Sequence, residues 1–355
     1  MDANRVWDEF CDDLREAGHA LMAESAPRTP LDQAEGVRYL IRLLRYASIN
    51  AIEYADPRWP QFTNALDPHL KCKIGADNPD NIYMRANISG RYRYRISGTR
   101  GTVPLLTFGS KANRYHVDGT MVSTGELHGD DLTVDADGRF SFIASVDRPE
   151  SGDWLPLTEE TTNITGRQSF QDRASEIPAE VGIELIGPVP EPEPLDPDRF
   201  RDQLRTTTRF VRGTATTFAG WTRRFMSRPN ELPDWGQEGF QAAGGDPAIF
   251  YLHGYWRLAE DEAWVIETEV PDCEYWNFVL QNRWMESLDH DRMNTYVNNH
   301  TGRLNDDGTL TIVVSATDPG YGNWISTGFH SEGTALLRWV GAKSHPLPAT
   351  RVVRL

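Results

Sequence analysis

The sequence contains few cysteines and no long apolar run. Cys11, Cys72 and Cys273 lie far apart and form no CxxC or Cys/His cluster, which excludes a zinc ribbon and argues against a disulfide framework. No apolar run approaches the roughly 18 residues that a membrane span needs. The acidic, amphipathic N-terminus shows neither the basic nor the apolar region of a secretory signal. We therefore expect a soluble, cytoplasmic protein that does not enter a membrane.

Basic residues are also in deficit. The chain has 36 Lys and Arg against 52 Asp and Glu, a formal net charge of -16. Such a field repels polyanions and argues against nucleic acid and anionic membranes as partners. There is no GxSxG, no P-loop and no GxGxxG before a helix, so serine-hydrolase, NTPase and dinucleotide activities have no support. We expect a small-molecule ligand and no cofactor, and a homo-oligomer stays open.

Two helices are predicted at the start of the chain. Apolar residues at spacings of three and four within residues 4–23 are typical of an amphipathic helix. Thr29 as N-cap and Pro30 at the first helical position begin a second helix, whose apolar stripe runs to Ala51. We assign residues 1–56 to a helical hairpin.

Strand-like runs separated by Gly, Asp and Asn turns follow the hairpin. The turn DADG, at 135–138 between two such runs, is a good hairpin signal. These runs predict an antiparallel, immunoglobulin-like β-sandwich over residues 57–190.

A proline-rich segment, PVPEPEPLDPD at 188–198, ends this domain because alternating prolines and acids form neither a ladder nor a helix interior. Asp196 as N-cap and Pro197 begin a further helix. We assign residues 191–245 to a linker and connector helix.

A second β region covers residues 246–355. Six strand-like runs, with turns such as NDDG at 305–308, predict an antiparallel sandwich of jelly-roll type. No repeat of fixed period is seen, and the two β regions share no evident motif. The predicted fold class is therefore mainly β with α: helical hairpin, sandwich, helical connector, and a jelly-roll-like sandwich.

The sharpest local feature is the His-x-Glu pair in DPGYGNWISTGFHSEGTALLRW. On a strand, the period of two places His330 and Glu332 on one face, where they can share a proton or a metal, with His253 as a third ligand. A jelly roll of the cupin type binds metal through HxH, which is absent, so we expect no metal here. The open alternatives are a hydrogen-bonded pair without chemistry and an acid/base pair in which Glu332 orients His330.

The strand before this feature carries an unusually polar face. Asn277, Gln281 and Arg283 fall on one side of YWNFVLQNRW. Arg283 either clamps a carboxylate or phosphate of a ligand, or holds Glu286 or Asp289 in a buried network.

The segment NPDNIY presents Asn78, Asp80 and Asn81 before a strand. One interpretation is an Asx-rich turn in which these side chains satisfy their own backbone. The other is a cleft lined by these groups and Tyr83.

Three stretches together resemble the signature blocks of a bacterial family, domain of unknown function 1214 (DUF1214), often paired with the related family 1254 (DUF1254). They are NPDNIYMRANISGRYRYRISGTRG, YWNFVLQNRWMESLD and DPGYGNWISTGFHSEGTALLRWVGA. The resemblance spans about residues 70–355 and implies a helical N-terminal piece, an immunoglobulin-like, family 1254-like sandwich, and a C-terminal jelly roll. It implies no reaction.

The leading hypothesis is an enzyme that acts on a small organic metabolite, by metal-independent acid/base chemistry, in a cleft between the β domains or at the jelly-roll mouth. We expect His330 as the general acid/base, Glu332 as its orienting group, and Arg283 as an anion or carbonyl clamp. The expected substrate-binding residues are Tyr83, Asp80, Asn81, Trp284 and Trp324. The alternatives are a non-catalytic small-molecule or carbohydrate-binding module, and an assembly protein whose hairpin packs on another subunit.

Overall fold

A computed structural model describes residues 2–27, 29–115, 117–188 and 190–355. The helices are α1 (Ala3–Ser25), α2 (Pro30–Ser48), α3 (Pro197–Phe225) and α4 (Glu238–Ala242), with a short π-helix (Ile49–Glu53) after α2 and a 3-10 turn at Gly129–Asp131. Val189 of the predicted linker lies outside the described residues. No helix in these ranges is both long and apolar enough to cross a lipid bilayer.

Sixteen strands in the described residues form two β-sandwiches. The first contains β1 (Asn81–Asn87), β2 (Tyr94–Thr99), β3 (Leu105–Arg114), β4 (Thr120–His128), β5 (Arg139–Ser145), β6 (Asp153–Pro156), β7 (Asn163–Ser169) and β8 (Glu180–Leu185). The second contains β9 (Ile249–Arg257), β10 (Glu262–Thr268), β11 (Tyr275–Leu280), β12 (Tyr296–Asn298), β13 (Leu310–Ser315), β14 (Asn323–Ser326), β15 (Glu332–Val340) and β16 (Ala349–Arg354). The predicted fold class, mainly β with an N-terminal helical region and a connecting helix, is confirmed.

The two sandwiches have the same strand order. The first pairs sheets β1-β7-β3-β4 and β6-β5-β2-β8, and the second pairs β9-β15-β11-β12 and β14-β13-β10-β16. Adding eight to each strand number converts one sandwich into the other. Each contains a single parallel pair, β5/β6 and β13/β14. The expectation that the two β regions share no motif was therefore wrong, and strand order does not separate an immunoglobulin-like from a jelly-roll domain here.

A weak sequence repeat underlies this shared topology. DADGRFSFIASVDRPESGDWLP (135–156) and NDDGTLTIVVSATDPGYGNWIS (305–326) align without a gap and share Asp, Gly, Ser, Pro, Gly and Trp. Gly138 and Gly308 adopt φ of +76° and +82°, the left-handed conformation that each tight turn requires. Both segments then run as a strand, a loop and a parallel return strand.

The same tryptophan closes the loop in each repeat. The indole Nε1 of Trp154 donates to the Ser145 carbonyl at 3.0 Å, and that of Trp324 to the Ser315 carbonyl at 3.3 Å. These bonds join the parallel return strand to the end of the strand before the loop, in addition to the backbone bonds that Leu157 and Thr327 donate to the same carbonyls.

Each sandwich has its own apolar core, and the helices form a third layer. Phe108 and Phe142 are central in the first core, and Trp256 and Trp264 in the second. The helices α1, α2 and α3 pack together through buried side chains of each helix: Ala17, Leu21, Tyr39, Leu43, Val211, Ala215 and Ala219.

Both predicted helix N-caps are present. The Thr29 hydroxyl accepts from the Asp32 amide at 3.0 Å, and the Asp196 carboxylate from the Asp198 amide at 2.9 Å. The hairpin therefore begins α2 where the sequence predicts, and it packs on α3 of its own chain.

Candidate functional site

A cavity of about 200 Å³ lies where the two sandwiches meet. Its walls are the outer faces of the equivalent sheets β1-β7-β3-β4 and β9-β15-β11-β12. Aromatic side chains of α3 and α4, among them Phe218, Trp221 and Phe240, line the same space. The cavity thus combines an apolar helical wall with polar side chains from the two sheets.

Each sandwich contributes one tyrosine–arginine pair to the cavity. Tyr83 of β1 is opposite Arg167 of β7, and Tyr251 of β9 is opposite Arg338 of β15. Because β9 and β15 are the counterparts of β1 and β7, the two pairs occupy equivalent positions in the repeat. All four side chains line the cavity.

The two arginines reach across to the opposite sandwich. Arg167 donates to the Gly244 carbonyl at 2.9 Å and to the Asp246 carboxylate at 3.1 Å, just before β9. Arg338 donates to the Ala76 carbonyl, just before β1. The junction therefore has approximate two-fold symmetry within one chain.

The turns that receive the arginines are also equivalent. The backbone N–H of Asn78 donates to the Tyr83 hydroxyl at 2.9 Å, and the backbone N–H of Asp246 donates to the Tyr251 hydroxyl at 2.8 Å. In both cases an Asn-Pro or Asp-Pro turn lies five residues before the tyrosine. Asn78 and Asp246 are therefore counterparts.

The two halves of the junction differ in the charge beside the arginine. Asp246 neutralises Arg167, whereas its counterpart Asn78 has an uncharged amide that accepts from Asn277 at 2.7 Å. Arg338 donates to Asn277 at 3.2 Å, and within the described ranges no carboxylate lies within 4.0 Å of its guanidinium. A buried guanidinium without a counter-ion is costly unless an anion joins it, so Arg338 is suited to bind one.

A neutral imidazole lies beside Arg338. Burial, with the charge of Arg338 in addition, lowers the pKa of His253 well below its ordinary value. Its ring stacks on Phe225 at 5.1 Å between centroids, and its Nδ1 has no hydrogen-bond partner in the part of the chain that the structure describes. His253 lines the cavity and is available as a proton acceptor.

Three residues of the predicted NPDNIY site lie at or behind the cavity. Tyr83 and Asn81 line it. Asp80 lies in a second layer, where the Tyr275 hydroxyl of the cavity wall donates to its carboxylate at 2.5 Å. Burial raises the pKa of Asp80 above its ordinary value, although this hydrogen bond opposes the rise. Asn78 lines the cavity, and its side-chain oxygen also accepts a hydrogen bond from the backbone N–H of Asp80, as in an Asx turn. The segment can therefore be both an Asx-rich turn and part of a cleft.

The structure separates the predicted His-x-Glu pair. His330 Nε2 lies 3.0 Å from Glu35 of α2, whereas Glu332 pairs with Arg257 at 2.8 Å and with Arg283 at 3.0 Å. His330 precedes β15, in a turn, so the strand alternation does not apply to it. The expectation that Glu332 orients His330 was therefore wrong.

His330 and Glu35 form an ion pair between the hairpin and the second sandwich. Burial lowers the pKa of His330, but the hydrogen bond and charge of Glu35, together with backbone hydrogen bonds of Gly328 and Thr327, raise this pKa above its ordinary value. Burial raises the pKa of Glu35, yet His330, Arg38 and Asn282 together hold it below its ordinary value. The two shifts agree in direction and favour the charged pair.

Arg283 and Trp284 belong to the same interface. Arg283 is buried and also donates to the Ser25 carbonyl at 2.7 Å, and the Trp284 indole donates to the Asp32 carbonyl at 3.0 Å. Arg283 therefore belongs to a buried network, which was one of the two interpretations of the sequence. Its acidic partner is Glu332 rather than the expected Glu286 or Asp289. Neither residue lines the cavity, nor does Trp324.

The facial triad considered from the sequence is not assembled. His253 is opposite Leu336 on β15, several positions from Glu332. The residues that sequence reasoning missed are Arg338, Arg167 and Asp246. Their signal was the pair of Asn-Pro and Asp-Pro turns, each five residues before a tyrosine.

Comparisons with known proteins agree with this architecture. The family described as protein of unknown function (DUF1214) matches residues 257–344. A crystal structure of an uncharacterized protein from Burkholderia cenocepacia is 42% identical, with a TM-score of 0.96 over 99% of this chain and 97% of that chain. The VPA0106 protein from Vibrio parahaemolyticus is 11% identical with a TM-score of 0.52, over 96% and 100%, and shows a similar fold alone. No curated protein matches the sequence.

Proposed function

We propose that this chain, whose residues 257–344 match the DUF1214 family, binds a small organic anion in the cavity between its sandwiches. The observation that carries the proposal is Arg338, a buried guanidinium at the cavity wall without a carboxylate partner among the described residues. A ligand carboxylate supplies the charge that Asp246 supplies to Arg167.

The dimensions of the cavity limit the ligand. A cavity of about 150 Å³ holds benzene, so about 200 Å³ suits a molecule on the order of ten heavy atoms. Phe218, Trp221 and Phe240 favour an apolar or aromatic body. The hydroxyls of Tyr83 and Tyr251 stay protonated, because burial raises the pKa of both, to about 12 for Tyr251. A short-chain or aromatic carboxylate meets these conditions.

Calorimetry with benzoate and its neutral isostere benzamide tests the proposal. We expect benzoate to bind with one site per chain and benzamide to bind at least about tenfold more weakly, a difference of about 1.4 kcal/mol. Arg338→Gln removes the preference for benzoate. The matched control is Arg351→Gln, which removes an exposed arginine paired with Glu267 and should leave binding unchanged. Equal binding of benzoate to the wild type and to folded Arg338→Gln would overturn the proposal.

A second candidate is an enzyme that moves a proton on the bound anion. The neutral His253 beside Arg338 favours it, because a general base must be unprotonated at working pH. Turnover of a panel of small carboxylates, followed by NMR for the wild type and His253→Gln, tests it. Binding of these carboxylates without turnover would indicate a binding module and not an enzyme.

The catalytic roles of His330 and Arg283 stay predictions. The same panel with His330→Gln tests them, since loss of turnover in a variant that still binds benzoate would restore His330 to the chemistry. A family 1254-like identity for the first sandwich and a cytoplasmic location also stay predictions.

A further inference from the structure

Three side chains outside the cavity bring metal-ligating atoms together. His69 lies in the loop between two bridge residues, Asp67 and Cys72, and His290 and Asp291 lie in the loop after β11. Their donor atoms all fall within 4.8 Å of one another. We propose that His69, His290 and Asp291 form a binding site for a divalent transition-metal ion, with zinc as the ion that the geometry fits.

The distances fit a tetrahedral site. The Nδ1 atoms of His69 and His290 each lie 3.3 Å from the same oxygen of Asp291, Oδ1. Two ligands bound at about 2.0–2.1 Å in a tetrahedron are about 3.3 Å apart. Neither contact is a hydrogen bond in the described structure, so the three atoms converge without satisfying one another.

The outer contact of His69 suits metal ligation. His69 Nε2 lies 3.0 Å from the Pro79 carbonyl, and donation to this oxygen leaves the lone pair on Nδ1. The Nε2 of His290 finds no hydrogen-bond partner within the described ranges.

Solvent reaches one side of the site. The His290 side chain is 2% exposed, whereas those of His69 and Asp291 are 35% and 38% exposed. Three protein ligands on a partly open surface leave a coordination position for water, as in zinc sites that act on substrates. The site lies on the Pro79 turn, whose neighbours Asn78 and Asn81 line the cavity.

Two lysines face the site and oppose a cation. Lys71 Nζ pairs with the other oxygen of Asp291, Oδ2, and Lys73 Nζ donates to the Ser287 and Leu288 carbonyls at 2.6 and 2.9 Å. Lys71 therefore contacts Oδ2 of Asp291 and leaves Oδ1 toward the imidazoles. Removal of the Lys71 charge should strengthen metal binding, which a purely structural cluster does not predict.

Calorimetry of the chelator-treated full chain with zinc sulfate tests the site. We expect one zinc per chain, and visible absorption bands of a tetrahedral ion when Co²⁺ replaces it. Asp291→Asn and His69→Ala, both at exposed positions, should weaken zinc binding by more than about tenfold, and Lys71→Met should tighten it.

The matched control is His300→Ala, which removes a surface histidine 3.9 Å from Asp172 and should leave zinc binding unchanged. The proposal is overturned if the wild type binds no zinc, or if folded Asp291→Asn and His69→Ala bind it as tightly as the wild type does. Benzoate binding in these variants separates this site from the cavity.

Discussion

The two sandwiches have one topology and equivalent tyrosine–arginine pairs at the cavity, yet the charge balance around these two pairs differs. In each, a tyrosine and an arginine face each other across neighbouring strands. Asp246 balances the arginine of the first sandwich, whereas Asn78 stands in the equivalent place beside the arginine of the second. A duplicated fold thus supplies both a closed structural pair and an unfilled anion site, because a carboxylate and an amide have similar shapes but different charge.

Removal of the balanced carboxylate should have the largest effect. Asp246→Ala leaves Arg167 buried without its counter-ion, and we expect the free energy of unfolding to fall by about 3–5 kcal/mol. Urea denaturation measures this change. Asp272→Ala, which breaks an exposed pair with Lys343, is the control and should change stability by less than about 1 kcal/mol. Similar small losses for both variants would contradict the assigned role of Asp246.

Installation of the missing carboxylate should remove the difference between the sandwiches. Asn78→Asp places a negative charge within the network that joins Asn277 to Arg338, so it competes with a ligand anion. We expect benzoate affinity to fall at least about tenfold, or about 1.4 kcal/mol, measured by calorimetry. Circular dichroism checks that the variant is folded. Unchanged affinity in a folded variant would show that charge at position 78 does not control binding.

The loop tryptophans should respond alike in the two repeats. Trp154→Phe and Trp324→Phe each remove an indole hydrogen bond to a serine carbonyl, and each should cost about 1 kcal/mol of stability in urea denaturation. Neither variant should alter benzoate affinity, because neither ring lines the cavity. Weaker benzoate binding in Trp324→Phe alone would support the predicted substrate-binding role of Trp324.

The contact between His330 of the second sandwich and Glu35 should make the free energy of unfolding depend on pH. This is the smallest of the four expected effects. The raised pKa of His330 means that its contribution is complete below the unfolded value of 6.5 and is lost as pH rises through the folded value. The lowered pKa of Glu35 means that its contribution is present above 4.5 and is lost as pH falls through the folded value. The free energy of unfolding should therefore decline as pH rises above 6.5.

Urea denaturation at a series of pH values measures this decline. His330→Gln should flatten the profile above pH 6.5, because glutamine does not titrate. His345→Gln is the control and should retain the wild-type slope. An unchanged slope in His330→Gln would assign the dependence to other groups.

Local signals in the sequence were sufficient for most of the helices and strands. The Thr29 and Asp196 caps and the DADG and NDDG turns act through neighbouring backbone groups, so short stretches identify them. The strands β4, β6, β7, β12 and β14 were not predicted, because each is short or has no clear apolar alternation. Asn277 lies on β11, whereas Gln281 and Arg283 follow the end of this strand at Leu280 and do not belong to its face. The contact of Asn277 with Asn78 across the junction was not predicted.

The contacts of the candidate site join residues that lie far apart in the sequence. His330 and Glu332 are two residues apart, yet each pairs with a group more than 40 positions away, Glu35 and Arg283 respectively. The cavity depends on Arg338 reaching a carbonyl before β1, 262 residues earlier in the chain. Such partners are selected by packing of whole layers, and spacing along the chain carries no information about them.

The amino-acid sequence by itself determined the mainly β class, the helical start and connector, and the residue types available for chemistry, because these follow from composition, periodicity and short-range hydrogen bonding. Only the tertiary structure decided that the two sandwiches are equivalent, that Asp246 balances one arginine while Asn78 leaves the other without a charge, and that His330 holds a helix. The physical reason is that a charge is neutralised by its neighbours in space, and the fold brings those neighbours together from distant parts of the chain.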